Sequence, residues 1–191
     1  MTPVKIVLLY QSLLGIYGDR GNAMVLRQRL LRRGIDATLE IIEPGDAVPA
    51  DGAVYLLGGG EDAAQVSAVK GLKADGNIYG AVERGAVLFA VCAGLQIVGN
   101  TFTVGDHDEV IDGLGLLDVD TRRGDVRAVG EILTHWTKPD GSESLITGFE
   151  NHGGFTTLGP SATPLARVEI GIGNANDGIE GAVQGTVIGT Y

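Results

Sequence analysis

Val87–Leu88–Phe89–Ala90–Val91–Cys92–Ala93–Gly94–Leu95–Gln96 is the stretch on which the fold turns. The apolar run Ala86–Val91 suits a strand buried on both faces, and a helix follows at once, running through Val98. Small residues, Ala93 and Gly94, stand directly after the cysteine. A reactive nucleophile at a strand-to-helix elbow needs this order: a sharp turn lifts its side chain above the sheet. The helix N-terminus favours the thiolate, and the Ala93 N–H points toward a developing oxyanion. The competing reading is a structural cysteine, because the thiol also behaves as a small buried hydrophobe.

Working outward, Val4–Tyr10, Asp36–Glu43 and Ala53–Leu57 read as further strands, and Asn22–Arg33 as a helix with Val25, Leu26 and Leu30 on one face. Gln11–Arg20 reads as a loop. A helix follows Gly58–Gly59–Gly60–Glu61–Asp62 to about Ala74, and a short one spans Ile78–Arg84. This alternation predicts an α/β fold with a parallel sheet and right-handed crossovers. After Asn100 the pattern changes to short strand candidates: Leu116–Asp120, Arg127–Thr134, Ser144–Phe149, Ala166–Ile170, Glu180–Gln184 and Thr186–Thr190. Glycine-rich turns divide them, which suits antiparallel strands on an edge of the same sheet. No repeat and no long linker interrupts the chain, so one domain, 1–191, is expected.

The Gly58–Gly60 run lies at the end of the strand before the elbow strand. Its N–H groups suit an anion nest, with Gly59 or Gly60 as the second oxyanion donor beside Ala93. No Lys-Ser/Thr follows, which argues against a P-loop phosphate site. The loop also reads as a plain turn before a helix, with Asp62 as its cap.

Composition narrows the classes. The 191 residues carry a formal charge of −10, which argues against nucleic acid or an anionic membrane as the main partner. Aromatic residues are 5%, too few for a base-stacking platform. A single cysteine excludes an internal disulfide. No metal is expected, since no second cysteine and no histidine pair stands at ligand spacing. The first residues lack a signal-peptide pattern and no apolar run spans a bilayer, so a soluble cytoplasmic protein is expected.

Leu56–Gln65 (LLGGGEDAAQ) followed by Phe89–Asn100 (FAVCAGLQIVGN) resembles the class I glutamine amidotransferases, in their cobyric-acid-synthase-like branch. Ile16–Ile35 (IYGDRGNAMVLRQRLLRRGI), Gly113–Thr121 (GLGLLDVDT), Gly148–Gly154 (GFENHGG) and Val187–Tyr191 (VIGTY) narrow the likeness to the glutaminase subunits of lipid II isoglutaminyl synthases, over nearly the whole chain. The resemblance implies a flavodoxin-like amidotransferase fold: a central, mostly parallel sheet with helices on both faces and antiparallel C-terminal strands. It implies that Cys92 attacks the side-chain amide of L-glutamine, forms a glutamyl thioester and releases ammonia, with no cofactor. The ammonia then passes, within a heterodimer, to a Mur-ligase-like partner, MurT, for ATP-dependent amidation of D-glutamate in a lipid-linked peptidoglycan precursor. Arg127 matches the glutamine-binding arginine, and a guanidinium fork suits an α-carboxylate. Arg122 and Arg123 stand close enough in sequence to share that assignment, and all three also read as solvated surface charges. Gln65 and Gln96 are the other substrate-binding candidates, with a solvent-facing role open for Gln65. Asp19 reads either as orienting a site group or as capping the helix that follows.

A thiol nucleophile needs a general base. In the resembling family that histidine follows a strand like VIGTY, two positions beyond Tyr191. The expectation is therefore a chain cut short at its C-terminus that hydrolyses glutamine poorly, since losing a base costs about 10²–10⁴-fold. His152 is the one tempting substitute, and it reads more readily as a turn hydrogen-bonder. His107 sits in an acidic loop (Asp106, Asp108, Glu109), and His135 beside Trp136 has no further support. Arg27, Arg29, Arg32 and Arg33 read as a solvated basic face, or as one that meets an acidic partner. The alternatives are a cobyrinate-type amidotransferase domain, a fold-related hydrolase or chaperone, and a non-catalytic module that docks a ligase.

Overall fold

The computed structural model describes residues 2–15, 19–138 and 140–191. Of the loop after the first strand, positions 16, 17 and 18 lie outside them. The chain divides into two compact units, Met1–Gly94 and Leu95–Tyr191.

The first unit holds, in chain order, β1 (Val4–Leu9), α1 (Gln11–Leu14), α2 (Asp19–Leu31), β2 (Ala37–Ile42), β3 (Val54–Leu57), α3 (Asp62–Asp75), α4 (Asn77–Glu83) and β4 (Val87–Val91). Helix α5 (Ala93–Val98) begins at its end and carries the chain onward. Its four strands run in the order β2-β1-β3-β4, and every pair is parallel. The continuous apolar runs explain this, because both faces are covered. Ile6, Leu8 and Leu56 pack with Ala23 of α2, and Leu26 and Leu30 complete that layer. Val7, Leu9, Tyr55, Leu57, Leu88 and Ala90 alternate onto the opposite face and are just as buried. The buried side of α3 is Ala68, Val69 and Leu72.

Three expectations shift. The loop read over Gln11–Arg20 contains the single turn α1, and α2 begins at Asp19 rather than Asn22. Ala23, Leu26 and Leu30 form the inward face of α2, whereas Val25 is exposed. Glu61, not Asp62, occupies the cap position of α3, and Asp62 adds an acid in its first turn, where the helix dipole favours one.

The second unit holds β5 (Thr101–Val104), β6 (Glu109–Asp112), β7 (Val119–Thr137), β8 (Glu143–Leu158), β9 (Thr163–Ile170), β10 (Ile179–Gln184) and β11 (Val187–Thr190). Its pairings are antiparallel apart from β5 with β7. The short strands expected at Arg127–Thr134 and Ser144–Phe149 are parts of one long hairpin, β7 of 19 residues against β8 of 16. Its ladder breaks between Arg123 and Ala128, which face Gly154 and His152. Gly124 to Arg127 therefore bulge out opposite Gly153 alone. The β5–β6 hairpin lies where the sequence showed only an acidic loop. No helix among the described residues is long and apolar enough to cross a membrane.

Candidate active site

The site begins at the carboxyl ends of β3 and β4, which pair in register from Val54↔Val87 to Leu57↔Ala90. Parallel sheets bind ligands at that edge. Cys92 follows β4 at φ 55°, a left-handed conformation that a side-chain-bearing residue adopts rarely. Such strain costs about 1–3 kcal/mol and collects at functional turns. The cysteine is half-buried, and Ala93 opens α5 directly after it. Gly94 explains how the elbow fits: a Cβ there would lie 2.4 Å from the Leu57 carbonyl oxygen and 3.2 Å from that of Gly58. Helix α5 thus starts against the end of β3, and only glycine permits it. Gly94→Ala is expected to destabilise the chain by about 1–3 kcal/mol, read from a denaturant midpoint.

The glycine loop leaves β3 beside this elbow. Asp19, only 2% exposed, accepts a hydrogen bond at its Oδ2 from the Gly59 N–H at 3.3 Å. Burial pushes the Asp19 carboxyl above the usual aspartate range, and the Gly59 hydrogen bond pulls the other way. Of the two glycines expected to serve an oxyanion, Gly59 is thus already engaged, and among the described residues no acceptor meets the Gly60 N–H. Gln65 is buried in α3 and donates from Nε2 to the Gly60 carbonyl at 3.2 Å. Its solvent-facing alternative is excluded. The first unit therefore brings together Cys92, Ala93, Gly59, Gly60, Asp19 and Gln65.

Arg127 and Gln96 belong to the second unit. Arg127 sits at the end of the β7 bulge, exposed, and its Nε donates to Asn151 Oδ1 at 2.9 Å. Among the described residues its two Nη nitrogens have no acceptor. Arg123 is tied to Asp108 at 2.9 Å. Arg122 donates to the carbonyl of Thr121 at 2.8 Å, with Asp120 3.9 Å away. Gln96 is buried, and its Nε2 approaches Tyr191 Oη at 3.5 Å. That amide also fills the place a Cβ on Gly154 would need.

His152 is 3% exposed and stacks on Tyr191, with ring centroids 3.7 Å apart. Its Nδ1 donates to the Gly154 carbonyl at 2.8 Å, which leaves the Nε2 lone pair 3.9 Å from Glu150 Oε2. Glu150 is itself held by the backbone N–H groups of Ile172 and Gly173. Glu180 accepts from the Thr190 hydroxyl and the Tyr191 N–H. The sequence reading missed both glutamates. For Glu150 the signal was the alternation Glu150, His152, Gly154, Thr156 on one strand.

Burial pulls the His152 pKa below 6.5. Arg127 adds to that, while the Gly154 hydrogen bond, Glu180 and Glu150 oppose it. A histidine depressed in the folded state contributes stability that is present above its unfolded pKa and lost as pH falls through its folded one. Thermal midpoints should therefore fall as pH drops below 6.5. His152→Gln should flatten that slope. His107 lies exposed in a turn, and His135 pairs with Glu169 at 2.5 Å. No group among the described residues is arranged to hold a metal ion.

Comparison with known proteins gives this geometry its setting. Residues 5–191 match the CobB/CobQ-like glutamine amidotransferase domain family. The chain is 33% identical to the GatD subunit of the glutamine-hydrolysing lipid II isoglutaminyl synthase of Staphylococcus aureus, over 93% of this chain and 72% of that one. The corresponding Streptococcus pneumoniae subunit is 31% identical, over 98% and 72%. A cobyric acid synthase of Sphingopyxis alaskensis is 31% identical over 80% of this chain but 31% of its own length. A crystal structure of a glutamine amidotransferase superposes with a TM-score of 0.58 at 20% identity, covering 98% of this chain and 88% of that one, which establishes the glutamine amidotransferase fold. With a cysteine elbow beside a glycine loop and a family match across almost its whole length, the chain belongs to the CobB/CobQ-like glutamine amidotransferases.

Proposed function

We propose that this chain is the glutaminase subunit of an enzyme that amidates a lipid II-type peptidoglycan precursor. The observation that carries the reading is Cys92, held at a left-handed φ where β4 meets α5, beside the loop that offers the Gly60 N–H. The Cys92 thiolate attacks the side-chain amide carbon of L-glutamine, forming the S–C bond. The Ala93 and Gly60 N–H groups hold the resulting oxyanion. The C–N bond breaks as the nitrogen takes up the proton that the Cys92 thiol gave up, ammonia leaves, and a glutamyl thioester remains. Water then cleaves the thioester, giving glutamate and restoring the thiol. Arg127 binds the α-carboxylate of glutamine through its two Nη nitrogens, and Gln96 frames the same substrate. All three histidines lie in the second unit. His152 is held there by the Gly154 carbonyl and the Tyr191 ring, so we assign it a structural role rather than that of the base.

The subunit identity of the GatD relatives supports the next step. Ammonia passes to a Mur-ligase-like partner, MurT, in a cytoplasmic heterodimer. That partner uses ATP to amidate the α-carboxyl of D-glutamate. The likeness to cobyric acid synthase supports a cobyrinate acceptor as the second reading, but this chain matches under a third of that enzyme's length. Glutamine labelled with ¹⁵N in its side-chain amide separates them. With a Mur-ligase-like partner and ATP, label is expected in the D-glutamate amide of lipid II. Label appearing only in a corrinoid acceptor would overturn the lipid II assignment.

A further inference from the structure

Two buried polar side chains in the first unit end on the glycine loop from opposite elements. Asp19 reaches it from the first turn of α2, with Oδ2 on the Gly59 N–H. Gln65 reaches it from α3, with Nε2 on the Gly60 carbonyl. The loop has no side chains of its own with which to fix its peptide planes, and glycine has the widest backbone freedom. Packing closes the remaining sides. A Cβ on Gly58 would fall 1.9 Å from Asp19 Oδ2 and 2.3 Å from the Leu14 carbonyl oxygen. One on Gly60 would fall 2.8 Å from the Leu13 carbonyl oxygen.

We propose that Asp19 and Gln65 are positioning residues that clamp the peptides on either side of the Gly60 N–H, so that this group is aimed as an oxyanion donor before substrate arrives. The proposal rests on the glutaminase reading. A preorganised donor is worth far more than one that must be ordered during reaction, because its reorganisation cost is met in folding. The division of labour also gives Asp19 a place on the glycine loop without putting it in the chemistry. Its carboxylate is turned onto a backbone donor, and burial raises its pKa. An acceptor oxygen, rather than a negative charge, is what the loop requires of it.

The test measures glutamate release across a glutamine titration for the parent chain, Asp19→Ala, Asp19→Asn and Gln65→Met. Labelling of Cys92 by 6-diazo-5-oxo-norleucine runs alongside. Removing an oxyanion donor outright costs about 10²–10³ in kcat, so loosening one should lower kcat by roughly tenfold with KM little changed. Asp19→Asn keeps an acceptor oxygen and should recover most of the loss, which a role for charge would not allow. Gln65→Met keeps length and volume but cannot donate, and it should lower kcat independently of whether Asp19→Ala folds. Parent-like kcat in Asp19→Ala and Gln65→Met, a loss confined to KM, or Asp19→Asn as impaired as Asp19→Ala would each overturn the proposal. A parent chain that neither labels nor releases glutamate would sink the glutaminase reading itself, and the clamp with it.

Discussion

Cys92→Ala is expected to lower glutamine hydrolysis to background, a drop of roughly 10²-fold or more, since nothing replaces a covalent nucleophile. Among the described residues of the first unit no other nucleophile stands at the elbow: its neighbours there are Val91 and Ala93, and the loop beside it consists of glycines. The substitution should leave the fold intact, because alanine retains a Cβ at the strained φ and removes only a half-buried sulfur. Glutamate release and a thermal melt, measured on the same sample, separate the two effects. A melt unchanged within about a degree with activity gone fits the nucleophile. Activity retained would return Cys92 to the structural role that a buried thiol also fills.

Arg127→Ala is expected to raise the KM for glutamine by roughly 10- to 100-fold, with a smaller change in kcat, because an exposed charged pair of this kind contributes about 1.5–3 kcal/mol in all. The β7 bulge lifts Arg127 out of the ladder, and Asn151 holds only its Nε. Arg127→Lys should recover little, since an ammonium cannot reproduce the paired Nη donors. Glutamine titrations of the three proteins check this. Arg122→Ala and Arg123→Ala should leave KM near the parent value, because those side chains are directed to Thr121 and Asp108 instead. A KM effect confined to Arg123→Ala would move the carboxylate site.

The first unit was legible in the sequence because its inner strands, β1, β3 and β4, expose no residue on either face. Runs such as Val4–Leu9 and Val87–Val91 then carry no ambiguity of face. The elbow was legible for a related reason: a cysteine between a buried run and small residues leaves few local structures open. The second unit was not, because its strands are long, partly exposed and interrupted by charge. Thr121 to Val126 falls between two expected short strands, yet it lies inside one 19-residue strand that bulges and resumes. The β5–β6 hairpin was lost among Asp106, His107, Asp108 and Glu109, which form its turn and the start of β6. Asp19 was readable as a cap. Its true partner, Gly59, lies 40 residues away, a separation that no local pattern encodes. Gln65 reads from the sequence as a candidate for substrate contact, and only the structure shows its Nε2 on the Gly60 carbonyl five residues before it.

The central claim is that Cys92 is a thiolate nucleophile facing a preformed glutamine pocket, and intact-mass analysis after exposure to 6-diazo-5-oxo-norleucine tests it most directly. A single adduct on the parent chain, absent from Cys92→Ser, is the predicted result. An unmodified parent chain, or an adduct that persists in Cys92→Ser, would contradict it.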